Sequence, residues 1–168
     1  DMGCSSIAPP TTIPSITYCQ GAVAAQLTAT ALPSAILKWF DGQFNPLIQA
    51  PIPSTLVSGT TTYYVGQLTL NGISAIIPIV VTVNPLPVVN AGADVTVCAG
   101  TPVTLSGSGA STYTWNNAVS NAVAFTPTAT TTYTVTGTDA NGCVNTDQVV
   151  VTVNALPTVG AGSDVTVC

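Results

Sequence analysis

Hydrophobic and polar residues alternate with a spacing of two along much of the chain. In the C-terminal half the apolar members are Val95 and Val97, Val103 and Leu105, Tyr113 and Trp115, Tyr133 and Val135, and Val149, Val151 and Val153. A period of two places each set on one face of an extended strand. Turn formers interrupt the runs at Ala99-Gly100, Gly107-Ser108-Gly109, Asn116-Asn117, Pro127 and Asn141-Gly142. The pattern predicts about six or seven strands in roughly seventy residues, a density that fits a sandwich of two packed sheets. Trp115 in a middle strand and Tyr133 opening a late one take the places where such a sandwich buries aromatic rings.

The pattern occurs twice. Val81-Thr82-Val83-Asn84 returns as Val151-Thr152-Val153-Asn154, an offset of 151 − 81 = 70. Leu86-Pro87, Ala91-Gly92 and Asp94-Val95-Thr96-Val97-Cys98 return at the same offset as Leu156-Pro157, Ala161-Gly162 and Asp164-Val165-Thr166-Val167-Cys168. Thr61-Thr62-Tyr63 and Asn71-Gly72 likewise match Thr131-Thr132-Tyr133 and Asn141-Gly142. Earlier in the unit the offset grows to 79 for Cys19 and Cys98 and to 76 for Trp39 and Trp115, so the first copy carries a longer loop around Gly42 to Pro53. Trp39 and Tyr63 then repeat the core roles of Trp115 and Tyr133. A fixed period signals a row of like modules. Pro85-Leu86-Pro87 and Ala155-Leu156-Pro157 follow the terminal strands as stiff, extended connections. Sandwich modules are therefore expected over 9–84 and 85–154, with the first strand of a third over 155–168 and the end of a preceding module over 1–8.

Composition narrows the chemistry. The 168 residues include six acidic side chains, all Asp, a single basic one, Lys38, and no His. Lack of His removes the commonest general base and metal ligand, and one Lys builds no phosphate-binding patch. Catalytic residues, a metal, a cofactor and nucleic-acid binding are not expected, and no serine has the neighbouring base that a nucleophile requires. Hydrophobic residues reach 46%, yet no apolar run approaches the roughly 20 residues of a membrane span.

Five cysteines in a charge-poor, Thr-rich chain fit an oxidising, extracellular setting. Cys98 closes a first strand and Cys143 follows the Asn141-Gly142 turn, so a Cys98–Cys143 bridge is expected to pin the entry strand to the last hairpin. Its separation of 143 − 98 = 45 residues would stabilise the module by roughly 4 kcal/mol on a chain-entropy argument. In the first copy Ile73 stands at the place of Cys143, so Cys19 is left to remain free or to pair with Cys4. Cys4 has a second reading, because Asp1-Met2-Gly3-Cys4 is similar to the turn Asp139-Ala140-Asn141-Gly142-Cys143. Cys168 is expected to pair beyond residue 168.

Leu86-Pro87 with Asp94 to Gly100, Val103-Thr104-Leu105, Tyr113-Thr114-Trp115 and Tyr133-Thr134-Val135 resemble Bacteroidetes PKD-like and Ig-like surface repeats. The first copy, with Tyr18 to Ala22, Leu27-Thr28-Ala29, Trp39-Phe40-Asp41, Thr60 to Val65 and Asn71-Gly72, resembles a sister Ig-like family of the same bacteria. Together these segments span nearly the whole chain. The resemblance implies an all-β fold of tandem Ig-like and PKD-like antiparallel β-sandwiches joined by short Pro-containing linkers. It also implies a place in large cell-surface adhesins, gliding-associated proteins exported by type IX secretion, or spacers of secreted hydrolases. Ile73 departs from the sister family, which usually has cysteine there, and this puts the first module's disulfide in doubt.

Candidate ligand groups are few. Asp139, Asn141 and Asp147 carry oxygens suited to calcium, but the spacing of a calcium loop is missing and turn chemistry accounts for them. Asp94 and Asp164 follow Ala-Gly-Ala and Ala-Gly-Ser, where a carboxylate caps backbone amides. Trp39, Phe40 and Phe44 could form a platform for a sugar or a contact for a neighbouring module. Trp39 and Phe40 are adjacent, so one of them faces outward if β-strand alternation holds. Three readings follow: a structural or adhesive region of an extracellular bacterial surface protein, forming a stalk or filament with neighbouring modules or identical subunits; a carbohydrate-binding module for surface glycans; and a spacer within a secreted hydrolase.

Overall fold

A computed structural model describes residues 7–160, 162, 164 and 166, which contain fourteen strands and no helix. Among the described residues, no helix is therefore long and apolar enough to cross a membrane. There are two compact units. One holds the described residues up to Leu86 together with Asn141–Cys143; the other holds those of Pro87–Ala140 and from Val144 onward. Each is an all-β, immunoglobulin-like sandwich.

The first unit contains β1 (Thr11–Thr12), β2 (Ser15–Cys19), β3 (Ala29–Thr30), β4 (Ile36–Phe40), β5 (Pro46–Leu47), β6 (Gly59–Thr69), β7 (Gly72–Ile73) and β8 (Ile77–Asn84). Its main sheet runs β2-β8-β6-β4-β5, with β7 folded back on β6, and β1 pairs with β3. The alternation of β8 reads directly into burial, with Ile79, Val81 and Val83 inward. Leu27, Trp39, Val65, Ile79 and Val81 form the core, and Tyr63 packs on it half-buried. Gln67 is fully buried, and its side chain accepts from Leu32 N–H at 2.7 Å and donates to Ala8 C=O at 2.6 Å. A buried amide satisfied on both ends avoids a desolvation penalty of about 1–3 kcal/mol.

The second unit contains β9 (Val95–Cys98), β10 (Val103–Thr104), β11 (Thr112–Trp115), β12 (Ala124–Phe125), β13 (Thr131–Thr138) and β14 (Val144–Asn154). Its main sheet runs β11-β13-β14-β9, and β10 pairs with β12. Val103, Leu105, Trp115, Tyr133, Val135, Val149 and Val151 share one core, against which Phe125 packs. Trp115 Nε1 donates to Asn121 Oδ1 at 3.0 Å, and the same oxygen accepts Gly107 N–H at 2.8 Å. Gly137 follows Tyr133 and Val135 on the inward face of β13, where a side chain has no room. A Cβ there would lie 2.6 Å from Val89 Cγ2 and 2.8 Å from Ala110 Cβ.

Both main sheets are antiparallel except at the entry strand. β2 runs parallel to β8, aligning Cys19 with Asn84, and β9 runs parallel to β14, aligning Cys98 with Asn154. This direction corrects the expected disulfide. Cys98 lies beside the last residue of β14, whereas Cys143 precedes its first, and eleven residues at about 3.3 Å each put over 30 Å between them. A disulfide tolerates a Cα separation of roughly 7 Å at most. Cys143 is bonded instead to Cys19, with Cα atoms 5.4 Å apart and a sequence separation of 124. Cys98 is exposed and free. The alternative Cys4–Cys19 pair is corrected by the same bond, since Cys19 is already taken. Cys4 and Cys168 lie outside the described residues, as do residues 1–6 of the segment read as a preceding module. Among the described residues of 155–168 there is no strand.

Asp94 and Asp147 serve the fold. Asp147 Oδ2 accepts Ala91 N–H at 2.8 Å, a bond that, with a second from Gln148 N–H, holds its carboxyl below the ordinary value. Asp94 Oδ1 accepts Val150 N–H at 2.8 Å, so it caps a distant strand and not its own turn. No cluster of three or more metal-ligating side chains occurs among the described residues.

Candidate functional site

The surface feature best suited to a ligand grows out of β4. Trp39 faces inward at 5% exposure, opposite Val65 and Leu47. Phe40 falls on the other face, half-buried and opposite Tyr64 and Pro46. Trp39 is thus sequestered in the core and presents nothing to a ligand.

The chain then leaves β4 through a tight turn. Asp41 Oδ1 accepts the N–H groups of Gln43 and Asn45, each at 2.9 Å, and Oδ2 accepts the Asn45 side-chain amide at 2.9 Å. The Asn45 side-chain and backbone donors, then Gln43, hold the Asp41 carboxyl below its ordinary value. Phe44 sits in this turn with φ of 63°, a left-handed conformation that a bulky residue seldom adopts. The conformation lays its ring on Tyr64, with centroids 4.4 Å apart and planes at 28°. Phe44 stays 53% exposed.

Beside this stack is a cleft of about 470 Å³, lined by Asp41, Gly42, Gln43, Thr60, Thr61, Thr62, Tyr63 and Tyr64. Its chemistry is hydroxyl and amide against an aromatic rim. Of the three aromatic residues singled out from sequence, Phe44 and the half-buried Phe40 lie on this side of β4. Tyr64 was missed, although β6 contains the sequential pair Tyr63-Tyr64 and a strand must send two adjacent residues to opposite faces. Downstream of the turn, Pro46, Leu47, Ile48, Gln49, Ala50, Pro51 and Ile52 line a second, mainly apolar groove of about 650 Å³. Ile48, Ile52, Leu56 and Val57 are all exposed there and just beyond.

No family model matches the chain, and no curated protein matches it either. Solved structures do. A Bacteroides ovatus protein of a mixed-linkage glucan utilization locus, SGBP-B, in complex with a mixed-linkage heptasaccharide, aligns at 18% identity over 82% of this chain and 43% of its own, with a TM-score of 0.35. Sidekick-1 immunoglobulin domains 1–4 align at 16% identity over 88% of this chain and 52% of that one, with a TM-score of 0.34. The first two immunoglobulin domains of DIP-gamma align at 13% identity over 87% and 96%, with a TM-score of 0.39. The chain spans less than half the length of the Bacteroides protein, and at these scores the likenesses carry no functional argument.

Proposed function

We propose that the chain is a non-catalytic, structural and adhesive part of an extracellular bacterial surface protein, whose modules assemble into a stalk or filament with identical subunits or neighbouring modules. The observation that supports this reading is the run of exposed apolar side chains Ile48, Ile52, Leu56 and Val57 on a chain with one basic residue. Apolar patches of this kind are typical of interaction surfaces, and few charges mean little repulsion between close copies. The Cys19–Cys143 bond suits an oxidising exterior. Electron microscopy of the native material is expected to show filaments with regularly spaced modules. The double substitution Ile48→Asp and Leu56→Asp touches only exposed positions and is expected to disperse them. Dispersed monomers of the parent at high concentration, or unchanged assembly of the folded variant, would refute the reading.

A second reading is favoured by the Phe44–Tyr64 stack beside a polar cleft, an arrangement suited to a sugar ring with its hydroxyls on one side. Saturable binding on a glycan array, weakened about tenfold by Phe44→Ala, is the expected outcome; absence of binding across the array removes this reading.

A further inference from the structure

Cys19 and Cys98 occupy one structural position in two copies of the repeat. Each ends an entry strand parallel to the exit strand, aligned with its terminal Asn84 or Asn154. The next residue donates its N–H to that asparagine's carbonyl in both copies, Gln20 to Asn84 and Ala99 to Asn154, each at 2.8 Å. A left-handed glycine follows in both, Gly21 with φ of 79° and Gly100 with φ of 85°. The turn closes in both through a bond back to the cysteine carbonyl, from Ala22 at 3.0 Å and from Thr101 at 3.1 Å. The backbone therefore presents the two thiols alike.

Their partners differ. Cys19 is bonded to Cys143, the residue after the Asn141-Gly142 turn, which in sequence belongs to the next repeat. Cys98 is exposed and free. After Asn154, Ala155-Leu156-Pro157 repeats the connection Pro85-Leu86-Pro87.

We infer that Cys98 is the second instance of this bonding position, and that it forms a disulfide with a cysteine following an Asx-Gly turn in a further repeat of the same kind. The bonded first copy carries the inference, because it shows what a cysteine held in this geometry takes as its partner. The further repeat is supplied either by the same polypeptide or by another copy. The two thiols lose two protons and two electrons as the S–S bond forms. The electrons reduce a small-molecule or protein disulfide, such as oxidised glutathione, to two thiols. The inference rests on the extracellular reading only in needing an oxidant.

Disulfide mapping of the native protein tests it. Free thiols are blocked with N-ethylmaleimide under denaturing, non-reducing conditions, and chymotryptic peptides are compared with and without later reduction. Expected is an intact Cys19–Cys143 pair, with the Cys98 peptide joined to a peptide containing an Asx-Gly-Cys turn and maleimide labelling of Cys98 at least tenfold below that after reduction. A ladder of multiples on a non-reducing gel assigns the partner to another copy, and a single species assigns it to the same polypeptide. Complete labelling of Cys98 beside an intact Cys19–Cys143 pair overturns the inference alone, as does a bond from Cys98 to a cysteine outside such a turn. Complete labelling of Cys19, Cys98 and Cys143 overturns the extracellular reading and the inference with it.

Discussion

A Cys143→Ser chain is expected to unfold at least about 10 °C below the parent under non-reducing conditions. The Cys19–Cys143 bond closes a loop whose ends have a sequence separation of 124. On the chain-entropy argument, a loop of that length raises the free energy of the unfolded state by about 5 kcal/mol. Serine adds to the loss, since Cys143 is fully buried and a hydroxyl there must find a hydrogen bond. Thermal scans by circular dichroism measure the shift. Dithiothreitol should lower the parent's midpoint towards that of the variant. Val23→Ser is the control, because that side chain is almost fully exposed and takes no part in a disulfide, and its midpoint should match the parent's. Coincident melting of the Cys143→Ser chain and the parent would refute the structural role of the bond.

Trp115→Ala is expected to cost about 3–5 kcal/mol, the usual loss for a large aromatic side chain removed from a core. The ring packs among Val103, Leu105, Tyr133 and Val135, and its Nε1 holds Asn121 Oδ1 in place. The chain has two tryptophans, so the variant leaves Trp39 as the sole indole reporter. Trp39 lies in the core of the first unit, with Leu27, Val65, Ile79 and Val81. Its emission is expected to shift to the red at the parent's temperature, while the circular dichroism signal of the second unit is lost well below it. A red shift of Trp39 emission at the variant's lower temperature would mean that the two cores melt as one.

The all-β architecture was legible because a period of two needs only neighbouring residues to be read. In β8 the run Ile79, Val81, Val83 faces inward without interruption, and in β13 Tyr133 and Val135 do the same. The next inward position of β13 is Gly137, whose emptiness in the pattern reflects the close approach of Val89 and Ala110. Pairing direction was not legible. Two strands separated by a whole module carry the same alternation whether they run parallel or antiparallel, so Cys98 was assigned to the wrong end of β14. The surface stack was legible only in part. Alternation says that Trp39 and Phe40 diverge, but the left-handed turn at Phe44 and its meeting with Tyr64 depend on a register between β4 and β6 that short-range pattern does not carry.

The parallel entry strands also decide how each unit bears a load. In the second unit the incoming segment advances along β14 step by step: Pro87 is bonded to Asn145, Ala91 to Asp147 and Asp94 to Val150, before β9 pairs with Val151 to Asn154. The polypeptide thus enters beside one end of β14 and exits from the other. Tension on the two ends drags β9 and β14 in opposite directions along their common axis, so these cross-links must give way together instead of peeling open singly. β2 and β8 repeat the arrangement, which gives either unit a high mechanical threshold for its size.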